Sequence, residues 1–272
     1  MTVIFFQFLF IFKITNLLYD YYNMKKLFIL LLSLLITSQA FSQDIRKIKL
    51  QDYLISPEST SIFFQDKEAE YITPPHSRFI YILGWSKDGK FAFMENRGID
   101  GRGGSDLIFT ILDLVKDSVE YTKVIKWYDD DEYGDNPKKA LTLEQCIAVN
   151  ADTFNKELEK AKIILKPAQM QLLPATDNKG NKIDFKIDVI KKEIGEYNLD
   201  YMTYEIKAVK GNASKTVNLV KQMECTHAKV TGYIKSPYED RVAVIVATSQ
   251  FVWEGYEVFL DFYGCNLKVG FN

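Results

Sequence analysis

The residues that could carry hydrolytic chemistry stand in an unsuitable pattern. Ser86 lies within residues 84–89 (GWSKDG), one residue longer than the Gly-x-Ser-x-Gly elbow of serine hydrolases, and a hairpin rather than a helix is expected to follow. His76 and His227 are the two histidines of the chain, so they are its only imidazole bases. Serine bonds readily to nearby backbone in turns. We therefore predict that Ser86 is a turn residue and not a nucleophile.

Acidic side chains offer ligands for calcium. Asp100 and Asp106 lie in and just after the glycine-rich residues 98–104, and Ca²⁺ prefers oxygen ligands on loops. The acidic run 129–135 begins like an EF-hand loop, but Ala140 stands where that loop needs its bidentate glutamate. Runs of like charge are usually solvated loops. We expect no cofactor, and calcium stays open as an alternative.

The three cysteines are too few for a disulfide scaffold. Cys225, His227 and Cys265 lack the Cys-x-x-Cys pair that is typical of structural zinc sites. In an exported chain the oxidising surroundings allow a Cys225–Cys265 disulfide, which would leave Cys146 free and buried. Whether Cys225 and Cys265 pair is not decided by the sequence.

A binding surface is predicted at two loops. The three tryptophans and 16 tyrosines could form a sugar-stacking platform, but aromatic rings more often fill the cores of β-sheets. Trp253 and Glu254 differ because they lie in a predicted loop that matches the loop at 98–104. Loops on rigid sheets commonly carry function. We predict that both loops open at one end of the fold, where they present the binding residues Asp100, Arg102, Asp106, Trp253 and Glu254.

The elements that must position these residues are mainly strands. Alternating apolar residues predict four strands between residues 79 and 127, with a turn at 87–90 after the first of them. A turn at 177–181 precedes further strands as far as residue 220, and strands return near the C-terminus.

A helical insertion is predicted at about residues 137–163. Asn136 before Pro137 forms one candidate N-terminus, whereas Thr142 and Gln145 have the spacing of a capping box. The apolar stripe breaks at 150–152, which predicts two short helices rather than one long helix.

Two distant stretches share one layout. Gly84-Trp85 precedes a turn and a strand, and Gly232-Tyr233 precedes a turn at 236–240 and a strand. Ala92 and Ile108 are as far apart as Ala243 and Phe259. This spacing aligns residues 107, 109 and 111 with residues 258, 260 and 262.

Residues 84–93 (GWSKDGKFAF) resemble the first turn of a TolB-like propeller blade. The two copies, and their order around the central region, also resemble a bacterial family of predicted secreted proteins of unknown function. The resemblance covers residues 82–114 and 230–262, and it implies blade-type hairpins but no activity. We therefore expect an α+β chain, mainly antiparallel β, with propeller-blade-like hairpins and a central helical insertion. A complete propeller is not expected, because five blades of about 40–45 residues would be needed and two are visible.

Residues 24–42 have the layout of a bacterial signal peptide. Lysines at 25 and 26 precede the apolar run 27–36, and small residues end at Ser42. We predict cleavage between Ser42 and Gln43 and export to the periplasm or the cell exterior. Residues 1–23 are interpreted as an extension ahead of the true start at Met24, because a signal peptide normally begins at its own methionine. The rival interpretation, a membrane-spanning segment, is disfavoured because their apolar run is too short to cross a bilayer. The mature chain, residues 43–272, is expected to form a single mainly-β domain without a membrane span.

Composition narrows the class of partner. The chain has 34 Lys and Arg against 36 Asp and Glu, a formal charge of −2, which argues against nucleic acid or an anionic membrane as partner. We expect a non-catalytic module that binds a protein or another envelope component through its hairpin loops. Two alternatives stay open: a carboxylate-based glycan hydrolase that uses acids such as Asp100 and Glu254, and a calcium-stabilised structural module.

Overall fold

Strands dominate the computed structural model, which describes residues 43–55, 78–99, 104–128, 141–195, 199–252 and 255–272. Two short 3₁₀ helices (Ile45–Lys47 and Leu50–Tyr53) precede the strands, and one α-helix, α1 (Leu143–Lys160), lies mid-chain. The strands are β1 (Arg78–Trp85), β2 (Lys90–Ile99), β3 (Gly104–Asp113), β4 (Ser118–Tyr128), β5 (Ile164–Leu165), β6 (Ala175–Thr176), β7 (Lys182–Ile194), β8 (Asp200–Lys210), β9 (Ala213–Glu224), β10 (His227–Lys235), β11 (Arg241–Val252) and β12 (Gly255–Asn266).

These strands form three sheets. Sheet A has the order β4-β3-β2-β1-β5, sheet B the order β10-β11-β12, and sheet C the order β6-β7-β8-β9. Every pair of neighbouring strands is antiparallel. The expectation of a mainly antiparallel β fold with a central helix is therefore confirmed. The described residues hold three sheets, fewer than the four blades of the smallest propellers, so they do not form a complete propeller.

Sheet A has packing partners on both faces. On one face Leu83 and Phe109 pack against α1, where the rings of Phe109 and Phe154 lie 4.7 Å apart. On the other face Ile82 packs in a core with Ile245 of sheet B. Burial of each such side chain stabilises the fold by roughly 1.5–3 kcal/mol. Two-sided burial also explains why the apolar residues of β1 are nearly continuous.

Sheet B is likewise covered on both faces. Ile245 faces sheet A, whereas Val244 and Val246 pack in a core with Tyr204 and Ile206 of sheet C. Residues 242–247 of β11 are all buried. The layers therefore follow the order α1, sheet A, sheet B and sheet C, and residues 44–272 form one compact unit.

The two hairpins with the shared layout have the same local construction. The register shifts between Ile82 and Gly84 in one hairpin and between Val230 and Gly232 in the other. The Ser86 amide donates to the Lys90 carbonyl at 2.9 Å, and Ser236 and Arg241 form the equivalent bond at 2.9 Å. The hydroxyl oxygen of Ser86 also accepts the Lys90 amide at 2.8 Å. Ser86 is fully buried, and its predicted role as a turn residue is confirmed.

Residues 163–171, here the bridging segment, connect both hairpins after α1. The Lys166 amide donates to the Leu83 carbonyl at 2.9 Å, and Gln171 exchanges two backbone bonds with Tyr233 at 2.8 and 2.9 Å. The approach is so close that a Cβ atom on Gly84 would lie 2.1 Å from the Ile164 carbonyl oxygen. Gly232 is the counterpart on the second hairpin, with 2.6 Å to the Gln171 carbonyl oxygen.

The alignment of the following strands requires correction. Ala92 pairs with Ile111, whereas Ala243 pairs with Gly264. The match to residues 107, 109 and 111 is therefore 260, 262 and 264, two residues beyond the alignment based on equal spacing. The second hairpin has a shorter loop but longer strands, and the longer strands determine the offset.

The prediction of two short helices is wrong, because α1 is continuous. The polar residue at the break, Asn150, donates its side-chain amide to the Cys146 carbonyl at 2.9 Å and accepts from Lys123 at 3.1 Å. The helix begins with the capping box: the Gln145 amide donates to the Thr142 hydroxyl at 3.2 Å, and the Thr142 amide donates to the Gln145 side chain at 2.9 Å. The other candidate start, at 136–137, lies outside the described residues.

The predicted signal peptide at 24–42 and the extension at 1–23 also lie outside the described residues, so the cleavage after Ser42 stays a prediction. In the part of the chain that the structure describes, no helix is long and apolar enough to cross a membrane.

Candidate functional site

Four residues of the predicted loop surface, namely Asp100, Arg102, Trp253 and Glu254, lie outside the described residues. The strand pairs that close the two loops are Ile99 with Gly104 and Val252 with Gly255. Asp106 is described: it is buried and pairs across the sheet with Arg97. Within the described residues, one of its carboxylate oxygens has no hydrogen-bond partner. The joint surface therefore stays a prediction.

A groove of about 300 Å³ lies along β12, where the three sheets meet. It is at the end of β3 remote from Gly104. Sheet A supplies residues of β2, β3 and β4 and of the β3–β4 turn, sheet B supplies β12, and sheet C supplies one residue of β9. The described lining residues are Phe93, Thr110, Leu112, Leu114, Asp117, Ser118, Val119, Asn218, Leu260, Asp261, Phe262 and Tyr263.

The groove exists because sheet B covers only part of the facing side of sheet A. Phe93, Thr110 and Thr122 form one row across β2, β3 and β4. Phe93 is buried against the Phe262 ring at 4.7 Å, whereas Thr122 at the β4 end is exposed. Val119 of β4 is also exposed, at 60%. The uncovered margin at β4 therefore forms one wall, and the apolar edge of sheet B forms the floor.

Asp117 stands at the mouth of the groove in a fixed position. Its backbone is left-handed, with φ of 50°, and its carboxylate accepts the Gly264 amide at 2.7 Å. The residue is exposed overall, but surrounding protein atoms remove water from the carboxyl group and so raise its pKa above 3.8. The Gly264 bond and the charge of Arg241 oppose this rise.

Two acidic residues, Asp117 and Asp261, line the polar side of the groove. Asp261 and Tyr263 follow one another on the same side of β12, near Asp117. Burial, and then the nearby charge of Asp261, raise the pKa of the Tyr263 hydroxyl, with a further contribution from Asp117. Among the described residues that line the groove, none is Lys, Arg or His.

Asp117→Asn is expected to make stability less sensitive to pH. A carboxyl group whose pKa is raised on folding stabilises the fold fully below its unfolded pKa, and this contribution is lost as the pH rises through the folded pKa. Asparagine keeps the acceptor for Gly264 and cannot ionise. The variant should therefore gain stability relative to wild type between pH 3.8 and neutrality, in urea unfolding. The exposed Asp184→Asn is the control. If the difference in the free energy of unfolding between Asp117→Asn and wild type were as constant across that range as it is for Asp184→Asn, this expectation would be contradicted.

One cluster of hydroxyl groups lies beside a histidine. The Thr226 hydroxyl lies 3.1 Å from Nδ1 of His227 and 2.5 Å from the Ser249 hydroxyl. Ser249 is fully buried, so a substrate cannot reach it in this fold. This cluster ties the start of β10 to β11.

The cysteines are buried free thiols in the structure. Cys225 and Cys265 both lie in the core between sheets B and C, as separate thiols rather than as the disulfide considered from the sequence. Burial raises the pKa of each to about 11, which keeps the reactive thiolate scarce at neutral pH.

Metal ligands do not converge in the described ranges, where no group of three or more His, Cys, Asp or Glu could hold an ion. Cys225, His227 and Cys265 form no such group. The calcium hypothesis also involved Asp100 and residues 129–135, which lie outside those ranges, so it stays an untested alternative.

Comparison with known proteins found no matching family model, no matching curated protein and no matching solved structure. Function is therefore inferred from the groove itself.

Asp117 and Asp261 were missed as site residues in the sequence. Asp117 sits in an ordinary polar turn, and Asp261 is one acid among the apolar residues of a strand. An acid at a strand position flanked by Leu260 and Phe262 was the available signal, because acids are depleted in strands.

Proposed function

We propose that this chain is an exported, non-catalytic binding module of the cell envelope. The observation that carries the proposal is the groove along β12, a concave site with an apolar floor and a few fixed polar groups, which is the usual form of a ligand site. The surrounding scaffold is suited to binding because hydrogen bonds join its elements: the Gly264 amide donates to the Asp117 carboxylate, and Gln171 and Tyr233 pair through their backbones. Pre-formed sites lose less entropy on binding.

Burial of the serine and cysteine side chains considered above supports a non-catalytic role. Ser86 and Ser249 are buried, and the thiols of Cys225 and Cys265 have raised pKa values. Export itself rests on the signal-peptide pattern of residues 24–42.

A panel of glycan, ester and peptide substrates tests the proposal. The protein should be recovered from outside the cytoplasm, where we expect its N-terminus at Gln43, and it should turn over none of the substrates. Turnover that is lost in Asp117→Asn or Glu254→Ala but kept in Asp184→Asn would overturn the non-catalytic role. Recovery only in the cytoplasm would overturn export.

The second candidate is a carboxylate-based glycan hydrolase. One observation favours it: Asp117 and Asp261 line the same groove, and the pKa of Asp117 is raised, as a general acid requires. Under this alternative Asp117→Asn would abolish turnover of a glycan in the panel.

A further inference from the structure

We propose that the free edge of β7 pairs antiparallel with the same edge of a second copy of this chain. A two-fold axis between Val189 and Ile190 relates the copies, so their two sheets C join into one continuous sheet. The observations behind this are an unpaired strand edge and an order of charges along β7 that is complementary to itself. This self-association is additional to the proposed binding role and does not involve the groove along β12.

Most of β7 lies at an edge of sheet C. Strand β8 pairs with it from Asp184 to Ile194, whereas β6 pairs only with Lys182 and Ile183. Among the described residues, no other strand pairs with residues 184–194. This free edge spans about 35 Å at roughly 3.3 Å per residue. An exposed strand edge is a template for pairing with another chain.

In the first half of the free edge, the odd-numbered residues direct their backbone groups outward. The Asn181 carbonyl accepts the Asp177 amide, on the β6 side, at 3.1 Å. Backbone groups alternate sides along a strand. Phe185 and Ile187 therefore point their N–H and C=O groups away from β8.

A bulge reverses this order in the second half of the edge, because the register with β8 shifts by one residue midway along the strand. The Gly195 amide donates toward β8, to the Leu199 carbonyl at 2.8 Å. The even-numbered residues Lys192 and Ile194 therefore point their backbone groups outward. A second copy that runs antiparallel presents matching groups when residue 187 meets residue 192 and residue 185 meets residue 194.

The same register pairs opposite charges on the face of sheet C that points away from sheet B. Lys186 stands opposite Glu193 of the second copy, and Asp188 stands opposite Lys191 of the second copy. The two-fold axis repeats both contacts. Residues directly opposite each other in an antiparallel pair are close enough for their side chains to interact.

The alternative registers oppose like charges. A shift of two residues in either direction keeps the outward backbone groups matched. One shift places Lys186 opposite Lys191 of the second copy, and the other places Asp188 opposite Glu193 of the second copy. Like charges directly opposite each other are destabilising, so the charges of β7 select one register.

Within one copy these charges already form pairs along the strand. Lys186 lies 3.1 Å from Asp188, Lys191 pairs with Glu193, and Lys207 of β8 lies 2.9 Å from Asp188. Pairing of the two edges adds partners across the axis and leaves these contacts in place. Since exposed ion pairs contribute little to stability, their role here is to determine the register.

Apolar side chains lie at the centre of the paired edges. Val189 is 49% exposed and Ile190 is 60% exposed, and in this register each meets the other across the axis. Ile194, which is 74% exposed, meets Phe185 of the second copy. Burial of these side chains and the backbone bonds of the edge favour the dimer.

Sedimentation equilibrium of the purified protein at neutral pH tests the self-association. A single strand edge forms a small interface, for which we expect a Kd of roughly 1–100 µM. At about 0.3 mM, above that range, the protein should be a dimer, and it should dissociate on dilution. A monomer at this concentration would overturn the inference.

Two charge reversals locate the interface, because residues 186 and 193 meet only across the axis. In Lys186→Glu each new glutamate faces Glu193, and in Glu193→Lys each new lysine faces Lys186. Each variant alone should therefore dimerise at least about tenfold more weakly. An equimolar mixture should form a heterodimer with about the wild-type affinity, since both contacts across the axis again join opposite charges. Absence of this rescue would overturn the register.

Lys182→Glu is the matched control. It makes the same change of charge on the same strand, but residue 182 pairs with β6 and lies outside the free edge. The control should dimerise like the wild type. If it weakened the dimer as much as Lys186→Glu, the assignment to the β7 edge would be wrong. Thermal unfolding of each variant checks that the fold is retained.

Self-association and the proposed function fail separately. A monomer in sedimentation overturns the pairing of the β7 edges and leaves the non-catalytic role to the substrate panel. Turnover of a substrate would overturn that role and leave the dimer unaffected.

Discussion

Gly84→Ala is expected to lower the free energy of unfolding by about 3 kcal/mol or more. A Cβ atom at this position would lie 2.1 Å from the Ile164 carbonyl oxygen, and φ of 149° disfavours a side chain. Gly84 and Ile164 both belong to backbone that is fixed by sheet pairing, because Gly84 pairs with Leu165 and Trp85 pairs with Ile164. The bridging segment would therefore have to move away from β1. Urea unfolding measures the loss.

Gly211→Ala is the matched control for this prediction. Gly211 also has positive φ, at 59°, but nothing lies within 4 Å of its Cβ position. Its substitution should cost only the conformational strain of about 1–2 kcal/mol. If both variants lost the same free energy of unfolding, the close approach of Gly84 to Ile164 would not contribute to the destabilisation.

Gly264→Ala is expected to destabilise the protein by about 3 kcal/mol or more. The added Cβ would lie 1.8 Å from the Leu114 carbonyl oxygen and 2.7 Å from its carbon. Relief of this overlap requires β12 to separate from the β3–β4 turn. The Asp117 bond to the Gly264 amide and the Arg241 bond to Leu114 would be strained together.

Urea unfolding measures the loss in the Gly264 variant. Gly180→Ala, whose added Cβ meets no atom within 4 Å but whose φ is 82°, is the control, and it should lose only the conformational strain of about 1–2 kcal/mol. A Gly264 variant that lost no more than this control would show that the contact with Leu114 does not hold β12 in place.

The hairpins were predictable because their signals are local. Gly89 and Asp88 determine a turn through backbone chemistry that does not depend on the rest of the fold. The capping box of Thr142 and Gln145 is local in the same way, and the structure confirms it. The mainly antiparallel β class follows from these signals.

The groove was not predictable from the sequence because it depends on long-range packing. Thr122 and Val119 look like ordinary strand residues, and their exposure follows from how far sheet B extends over sheet A. The equal spacing from Ala92 to Ile108 and from Ala243 to Phe259 could not give the strand register. The second hairpin has longer strands and a shorter loop than the first, so equal spacing does not place equivalent residues. Asn150 looked like a helix break because its partner, Lys123, comes from β4.

The proposed binding role depends on a pre-formed groove at the meeting of the three sheets, beside Asp117. The most direct test is the nuclear magnetic resonance signal of the Gly264 amide, whose acceptor is the Asp117 carboxylate, during titration with the glycans and peptides of the panel. We predict that at least one compound gives a saturable shift of this signal in wild type and in Asp184→Asn, with a much weaker response in Asp117→Asn and unchanged signals from the core of β11. A Gly264 signal that stays constant while a compound binds, or shifts of equal size throughout β11, would contradict the binding role of the groove.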